Sequence, residues 1–411
     1  MAQAVFHHTW PNGLTLLAEP MPHVRSATLY FLVPAGCAYE PADRPGLSGL
    51  LSEMMTRGAG ARDNEQLSLA FDNLGIDRGG SAGILNMSFS GAGLARNFPA
   101  ALDLFADILC EPHLPADDLP YAQAQALQDL QALEDSPQDL VLQELRRCYF
   151  PAPLNRDPGG TKEGVVAVTP GELRQQHTRL LRPNGTILAV AGNIDWVQLK
   201  DIVGARLADW ERKPEIVLDV QPDRPHSSHV KKDTQQTQIT VAFPSATMTD
   251  SDYFAARGAV GVLASGMSSR LFTEVREKRG LVYAVSAMHE TFRDRGTLIG
   301  YAAARPERAQ ETLDVLIGEM RRLREGIEPD ELDRVKAGLK TALIMQQEST
   351  AARAGSIARD WYYLGRVRSF DEIQSGIDGL SEAAIQDHLD RRPLTNPTVV
   401  TLGPAELATP A

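Results

Sequence analysis

The chain has 411 residues, with 41 basic against 53 acidic side chains and a formal net charge of −12. That balance, without any basic run interleaved with aromatics, argues against a nucleic-acid partner, and no stretch approaches the about 18 uninterrupted apolar residues of a membrane helix. Its length exceeds that at which one core stops growing, so two or more domains are expected, and 43% hydrophobic with 23% charged residues is the composition of a soluble globular protein.

At the start, Ala2-Gln3-Ala4 has the small-x-small form of a cleavage site, although the basic and apolar regions of a signal peptide are missing. The chain reads as cytoplasmic, or periplasmic if a presequence was trimmed before Met1. His7 and His8 fall on a strand, where neighbours point to opposite faces and cannot converge on one ion. Thr28 to Val33 alternates as a strand. Gly46 to Met54 reads as a helix, because Leu47, Leu50, Leu51, Met54 and Met55 recur at i, i+3, i+4, i+7 and i+8. Gly49, Ser52 and Glu53 share its opposite face. Gly75, Gly79, Gly80 and Gly83 form a turn leading into a strand over Ile84 to Phe89 rather than a phosphate cradle, since no helix follows. Ala101, Leu102, Phe105, Ile108 and Leu109 line the buried side of a helix that Asn97 can cap and Pro112 stops. The three cysteines, Cys37, Cys110 and Cys148, are widely spaced and lack a C-x-x-C pair, so buried thiols are expected rather than disulfides or a zinc knuckle.

An internal duplication organises the rest. Leu102 and Leu313 sit in similar helices 211 positions apart, and Thr186 to Gly192 is echoed by Thr398 to Gly403, with Gly192 and Gly403 again 211 apart. Ala309, Leu313, Leu316, Met320 and Leu323 repeat the stripe of the earlier helix and end near Gly326. Two copies of one α+β fold follow, each a mostly antiparallel sheet with helices on one face. The expected division is residues 1–212, a proline-bearing linker at 213–229, and residues 230–411.

The segment Val33 to Pro41, the helix beginning at Gly46, and the run Ser268-Ser269-Arg270-Leu271-Phe272-Thr273-Glu274-Val275-Arg276-Glu277-Lys278-Arg279-Gly280-Leu281-Val282-Tyr283 together resemble the M16 peptidases, the pitrilysin and mitochondrial processing peptidase family. The resemblance extends over nearly the whole chain. It implies two homologous domains of the LuxS and processing-peptidase metallohydrolase type. Laid on the family's inverted zinc motif, Gly49 takes the first histidine position, Ser52 the catalytic glutamate and Glu53 the second histidine. Asp129 takes the position of the glutamate ligand on a later helix. Zinc needs three protein ligands and a water in a catalytic site, and a serine hydroxyl near its free pKa is a poor base. No pair among the nine histidines has helical i, i+4 spacing.

The second signature is intact, and by the resemblance Arg276 and Tyr283 reach a peptide bound at the zinc of another subunit. The expected function is therefore a non-catalytic, substrate-binding subunit, with no metal or other cofactor in this chain. Its expected partners are a zinc-bearing M16 subunit and an unfolded peptide. Two other readings stand beside it: an assembly subunit without any peptidase role, and a self-sufficient metallopeptidase with an altered metal site. Arg270 and Glu274, one helical turn apart, are expected to pair locally.

Overall fold

A computed structural model describes residues 3–409; Ala2 of the cleavage-type sequence Ala2-Gln3-Ala4 lies outside them. The first half runs β1 (Phe6–Thr9), β2 (Thr15–Pro20), β3 (Ser26–Val33), α1 (Leu47–Met54), α2 (Asn64–Leu74), β4 (Asp77–Ala82), β5 (Met87–Leu94), α3 (Phe98–Cys110), α4 (Leu119–Glu134), α5 (Pro137–Tyr149), α6 (Lys162–Ala167), α7 (Pro170–Leu180), β6 (Ile187–Gly192) and α8 (Trp196–Leu207). The second runs β7 (Ser228–Lys231), β8 (Thr237–Ser245), α9 (Tyr253–Ala264), β9 (Val282–Thr291), β10 (Gly296–Ala304), α10 (Ala309–Arg321), α11 (Pro329–Gln346), α12 (Thr350–Leu364), α13 (Phe370–Asp378), α14 (Glu382–Arg391) and β11 (Thr398–Gly403).

The strands form two sheets, ordered β1-β2-β6-β3-β5-β4 and β7-β11-β8-β10-β9. Among the described residues, β2 with β6 and β7 with β11 pair in parallel and the other pairings are antiparallel. The fold is α+β, as the duplicated pattern requires.

Alternation along each strand decides which residues face which layer. In the first sheet Leu16, Leu29, Phe31 and Phe89 turn toward α1, α2 and α3, joining Leu51, Phe71 and Phe105 in one core. Leu17, Ile187 and Ala189 turn the other way, and there the sheet is crossed by a single helix, α12, through Ile357 and Ala358. The second sheet repeats the plan: Ile239, Val241 and Phe243 meet α9 and α10, while Ala242, Ile299, Tyr301 and Val400 meet Val141, Leu145 and Cys148 of α5. So each sheet has its expected helical layer and, in addition, one helix on its far face.

Those far-face helices are exchanged along the chain. One compact unit comprises Met1–Ala132, Ala152–Gln221 and Gln346–Val367; the other comprises Leu133–Pro151, Pro222–Met345 and Arg368–Ala411. The boundaries at 212 and 230 follow the duplication, whereas the units interleave, because α5 and α12 each pack on the sheet of the opposite repeat. Inside the first unit α12 is tied down by polar contacts. Arg353, 1% exposed, forks onto Glu19 of β2, with Nη2 at 2.7 Å from Oε2, and the Thr350 and Thr28 hydroxyls lie 2.8 Å apart.

Three local expectations are corrected. Asn97 stands at the start of α3 without capping it; its amide donates instead to the Leu74 carbonyl at 2.7 Å, tying down the end of α2. The glycine-rich run is mostly strand: Gly79 and Gly80 lie in β4, and Ile84 to Asn86 forms the turn. A Cβ at Gly80 would stand 3.1 Å from the Phe89 ring, so the neighbouring aromatic accounts for the small residue. Cys37 and Cys148 are buried, but Cys110 is only half-buried; desolvation pushes all three thiols up.

Candidate functional site

In the first unit α1 buries Leu47, Leu50, Leu51 and Met54. Its N-terminal residue Gly46 has φ +99° and no side chain to cap with, so the orphan N–H groups of the first turn need another acceptor. Glu40 supplies it from a distance: its carboxylate accepts from Gly46 N at 3.1 Å and Ser48 N at 2.5 Å. Burial pushes the Glu40 carboxyl up to about 7, against the pull of those hydrogen bonds and of Arg156. Arg156 Nη1 in turn donates to the Glu40 carbonyl at 2.6 Å.

The four positions of the inverted zinc motif carry no ligand set. Gly49 has no donor, and a Cβ placed on it would stand 2.7 Å from the Pro158 carbonyl oxygen. The segment around Pro158 presses on α1 closely: a Cβ on Gly160 would meet Gly46 backbone at 2.4 Å. Ser52 is buried, with its hydroxyl toward β4, 3.8 Å from where a Gly80 Cβ would lie. Glu53 is exposed and paired with Arg57 one turn later, Oε1 to Nη2 2.9 Å. Asp129, exposed on α4, accepts from Gln125 Nε2 at 2.9 Å. Among the described residues no group of three or more His, Cys, Asp or Glu side chains is placed to hold a metal ion. These residues do not fit zinc: two of four positions lack a metal-binding atom of the usual kind, the Glu53 carboxylate is held by the Arg57 guanidinium, and backbone fills the space in front of Gly49.

In the second unit the chain does bring Arg276 and Tyr283 together. Residues Phe272–Lys278 form a π-helical segment, the wide-turn geometry that recurs at functional sites. Val275 and Leu281 are buried and joined by Leu281 N to Val275 O at 3.0 Å. Gly280, at φ +59°, makes the turn between them, a backbone angle that only glycine adopts without strain. Tyr283 then enters the edge strand β9 with 78% of its surface exposed. The Arg276 guanidinium lies between two rings, its Cζ 5.0 Å from the Tyr283 centroid and 4.7 Å from that of Phe272. Stacking uses the faces of the guanidinium and leaves its N–H edge available. Neither that edge nor the Tyr283 hydroxyl has a hydrogen-bond partner among the described residues.

Phe272 was not singled out from the sequence, although its place one turn before Arg276 is a readable signal for a ring under a cation. Arg270 does not pair with Glu274. It forks onto Glu331 at 2.8 and 2.6 Å and donates to the Gly326 carbonyl at 2.7 Å, while Glu274 takes Lys278 at 2.7 Å. The reason is reach: Arg270 is largely buried against the start of α11, where Glu331 offers a bidentate acceptor.

These features define a two-domain peptidase-like scaffold with a ligand-poor zinc helix and a helix–turn–strand segment that sets Arg276 beside Tyr283. Models of the M16 peptidase (insulinase) domain and of the M16 inactive domain match residues 15–158 and 167–339, and the chain belongs to the M16 peptidase family. It is 28% identical to an uncharacterized zinc protease of Mycobacterium bovis, over 90% of this chain and 86% of that one, and 24% identical to one of Rickettsia bellii, over 97% of each. The crystal structure of a peptidase M16 inactive domain from Pseudomonas fluorescens has the same fold, with a TM-score of 0.90 at 22% identity, covering 99% of this chain and 100% of that one.

Proposed function

We propose that this chain is the non-catalytic, substrate-binding subunit of a heterodimeric M16 zinc peptidase, lending Arg276 and Tyr283 to the reaction centre of a zinc-bearing partner. The observation that carries the reading is the contrast on one chain between a zinc helix without ligands and an arginine presented between two rings with its hydrogen-bonding edge unused. The hydrolytic metal would belong to the partner. What this chain contributes is a planar donor edge that holds a peptide carbonyl and a phenol that donates to the oxygen as it gains charge. The substrate is an unfolded peptide, for which the exposed edge strands β4 and β9 offer main-chain hydrogen bonds in the manner of strand addition. The zinc protease names belong to the relatives; Gly49 at the first ligand position and Ser52 at the catalytic-base position of this chain argue against an independent metallopeptidase.

The test is purification alone and together with an M16 chain carrying an intact H-x-x-E-H, followed by metal analysis and turnover of a fluorogenic peptide. Turnover is expected only in the mixture, falling about a hundredfold with Arg276→Ala and less with Tyr283→Phe. Stoichiometric zinc and turnover in the lone chain, or a mixture indifferent to both substitutions, would overturn the reading.

A further inference from the structure

On the far face of the first sheet, α12 lies over β2, β6 and β3. Beside it a groove of about 410 Å³ opens, with Tyr30 and Leu32 of β3 in its floor, Asn86 at one end, and Gly355, Ser356 and Arg359 in the helical wall. Tyr30 and Leu32 point away from the core that contains Phe31 and α1, so the sheet itself separates this groove from the zinc helix.

Three features of the wall are unexplained by folding. Gly355 sits in the middle of α12, where glycine is the least favourable residue after proline, yet a Cβ there would meet nothing within 4 Å. Neither packing nor backbone angle calls for it. Ser356 is 7% exposed and its hydroxyl has no partner among the described residues. Thr341 of α11, by contrast, returns its hydroxyl to the carbonyl four residues back at 2.9 Å, the usual refuge for a helical hydroxyl. Arg359, one turn after Gly355 and so on the same side of the helix, is exposed and likewise has no ion-pair partner among the described residues. It is the one charged side chain lining the groove.

We propose that this groove binds an extended peptide segment bearing an acidic side chain. The wall runs from Ala351 to Tyr363, about 18 Å of helix, which matches about five residues of extended chain. Arg359 takes the carboxylate in a charge-assisted fork. Ser356 and Asn86 hydrogen-bond the peptide main chain, and an apolar side chain fills the space over Gly355 between Tyr30 and Leu32. The site is independent of Arg276 and of any metal.

The full chain is titrated into an amidated hexapeptide, Ala-Leu-Glu-Ala-Leu-Ala, carrying a neutral dye on its N-terminal amine, and into its Gln counterpart, with fluorescence anisotropy as the readout. The Glu peptide is expected to bind about tenfold more tightly. Arg359→Gln removes that preference. Gly355→Leu abolishes binding of both peptides while the melting temperature stays the same or rises, since the substitution fills empty space and favours helix, and Arg276→Ala leaves binding intact. Equal affinity for the two peptides, wild-type affinity in Gly355→Leu, loss of binding in Arg276→Ala with retention in Arg359→Gln, or no binding of either peptide at millimolar concentration would each overturn the proposal.

Discussion

The helix α1 and the helix–turn–strand segment around Arg276 have opposite ways of treating their polar groups. At α1 the first-turn N–H groups and the exposed carboxylate are answered from within: Glu40 caps the first turn, Glu53 is paired with Arg57, and the Pro158 backbone closes on Gly49. Around Arg276 the guanidinium rests against two aromatic rings while its donors stay unused. A region relieved of chemistry can be satisfied by its own fold. A region proposed to meet a ligand would leave its groups unmet until the ligand arrives, and the difference supports the proposal that Arg276 rather than α1 faces the substrate.

Removing the internal cap breaks that comparison most severely. Glu40→Ala leaves the Gly46 and Ser48 N–H groups buried and unpaired, and urea unfolding is expected to show a loss of about 3 kcal/mol. Glu40→Gln gives the pH signature instead. Because the folded carboxyl titrates at about 7, above the ordinary 4.5, the folded state holds the proton more tightly. Its stabilising contribution is full below about 4.5 and is lost as pH rises through about 7. The wild-type stability should therefore fall over that window more steeply than that of Glu40→Gln. Next in size is restoration of the zinc motif. The combined Gly49→His, Ser52→Glu and Glu53→His variant is expected to lose about 2 kcal/mol, since the Pro158 carbonyl must move, and to bind no stoichiometric zinc by metal analysis. A stable, zinc-loaded variant would show that the closure of α1 is superficial.

The remaining two substitutions sharpen the contrast. Phe272→Leu removes one face of the arginine clamp, a loss of about 0.5–1 kcal/mol, and should raise the KM of the paired enzyme about threefold with the fold unchanged. Glu53→Ala breaks an exposed pair and should alter unfolding by less than about 0.5 kcal/mol. An effect at Glu53 larger than at Phe272 would reverse the assignment of the working region.

Much of this was legible in the amino-acid sequence because it is local. The stripe of α1, the repeat linking Leu102 with Leu313, and the turn at Gly280 all express themselves within a few residues. What stayed hidden depends on distant partners. Nothing near Ser48 announces that Glu40 caps its helix, Asn97 has the identity of a cap but is drawn to the end of α2, and Arg270 finds Glu331 across 61 positions. The pressure of Pro158 on Gly49 is invisible for the same reason: glycine records that a side chain is missing, not what stands in its place. The exchange of α5 and α12 leaves no local mark at all, since each helix has an ordinary apolar stripe and the stripe does not say which sheet it covers.

That exchange bears on how the molecule is made. During synthesis the first sheet is complete once Gly192 has emerged, yet Leu17, Ile187 and Ala189 must wait for Ile357 and Ala358, which leave the ribosome more than a hundred and fifty residues later. Until then a nascent chain displays a bare apolar surface, so the earlier half should be the one that holdase chaperones grip and the one that premature termination leaves prone to clumping.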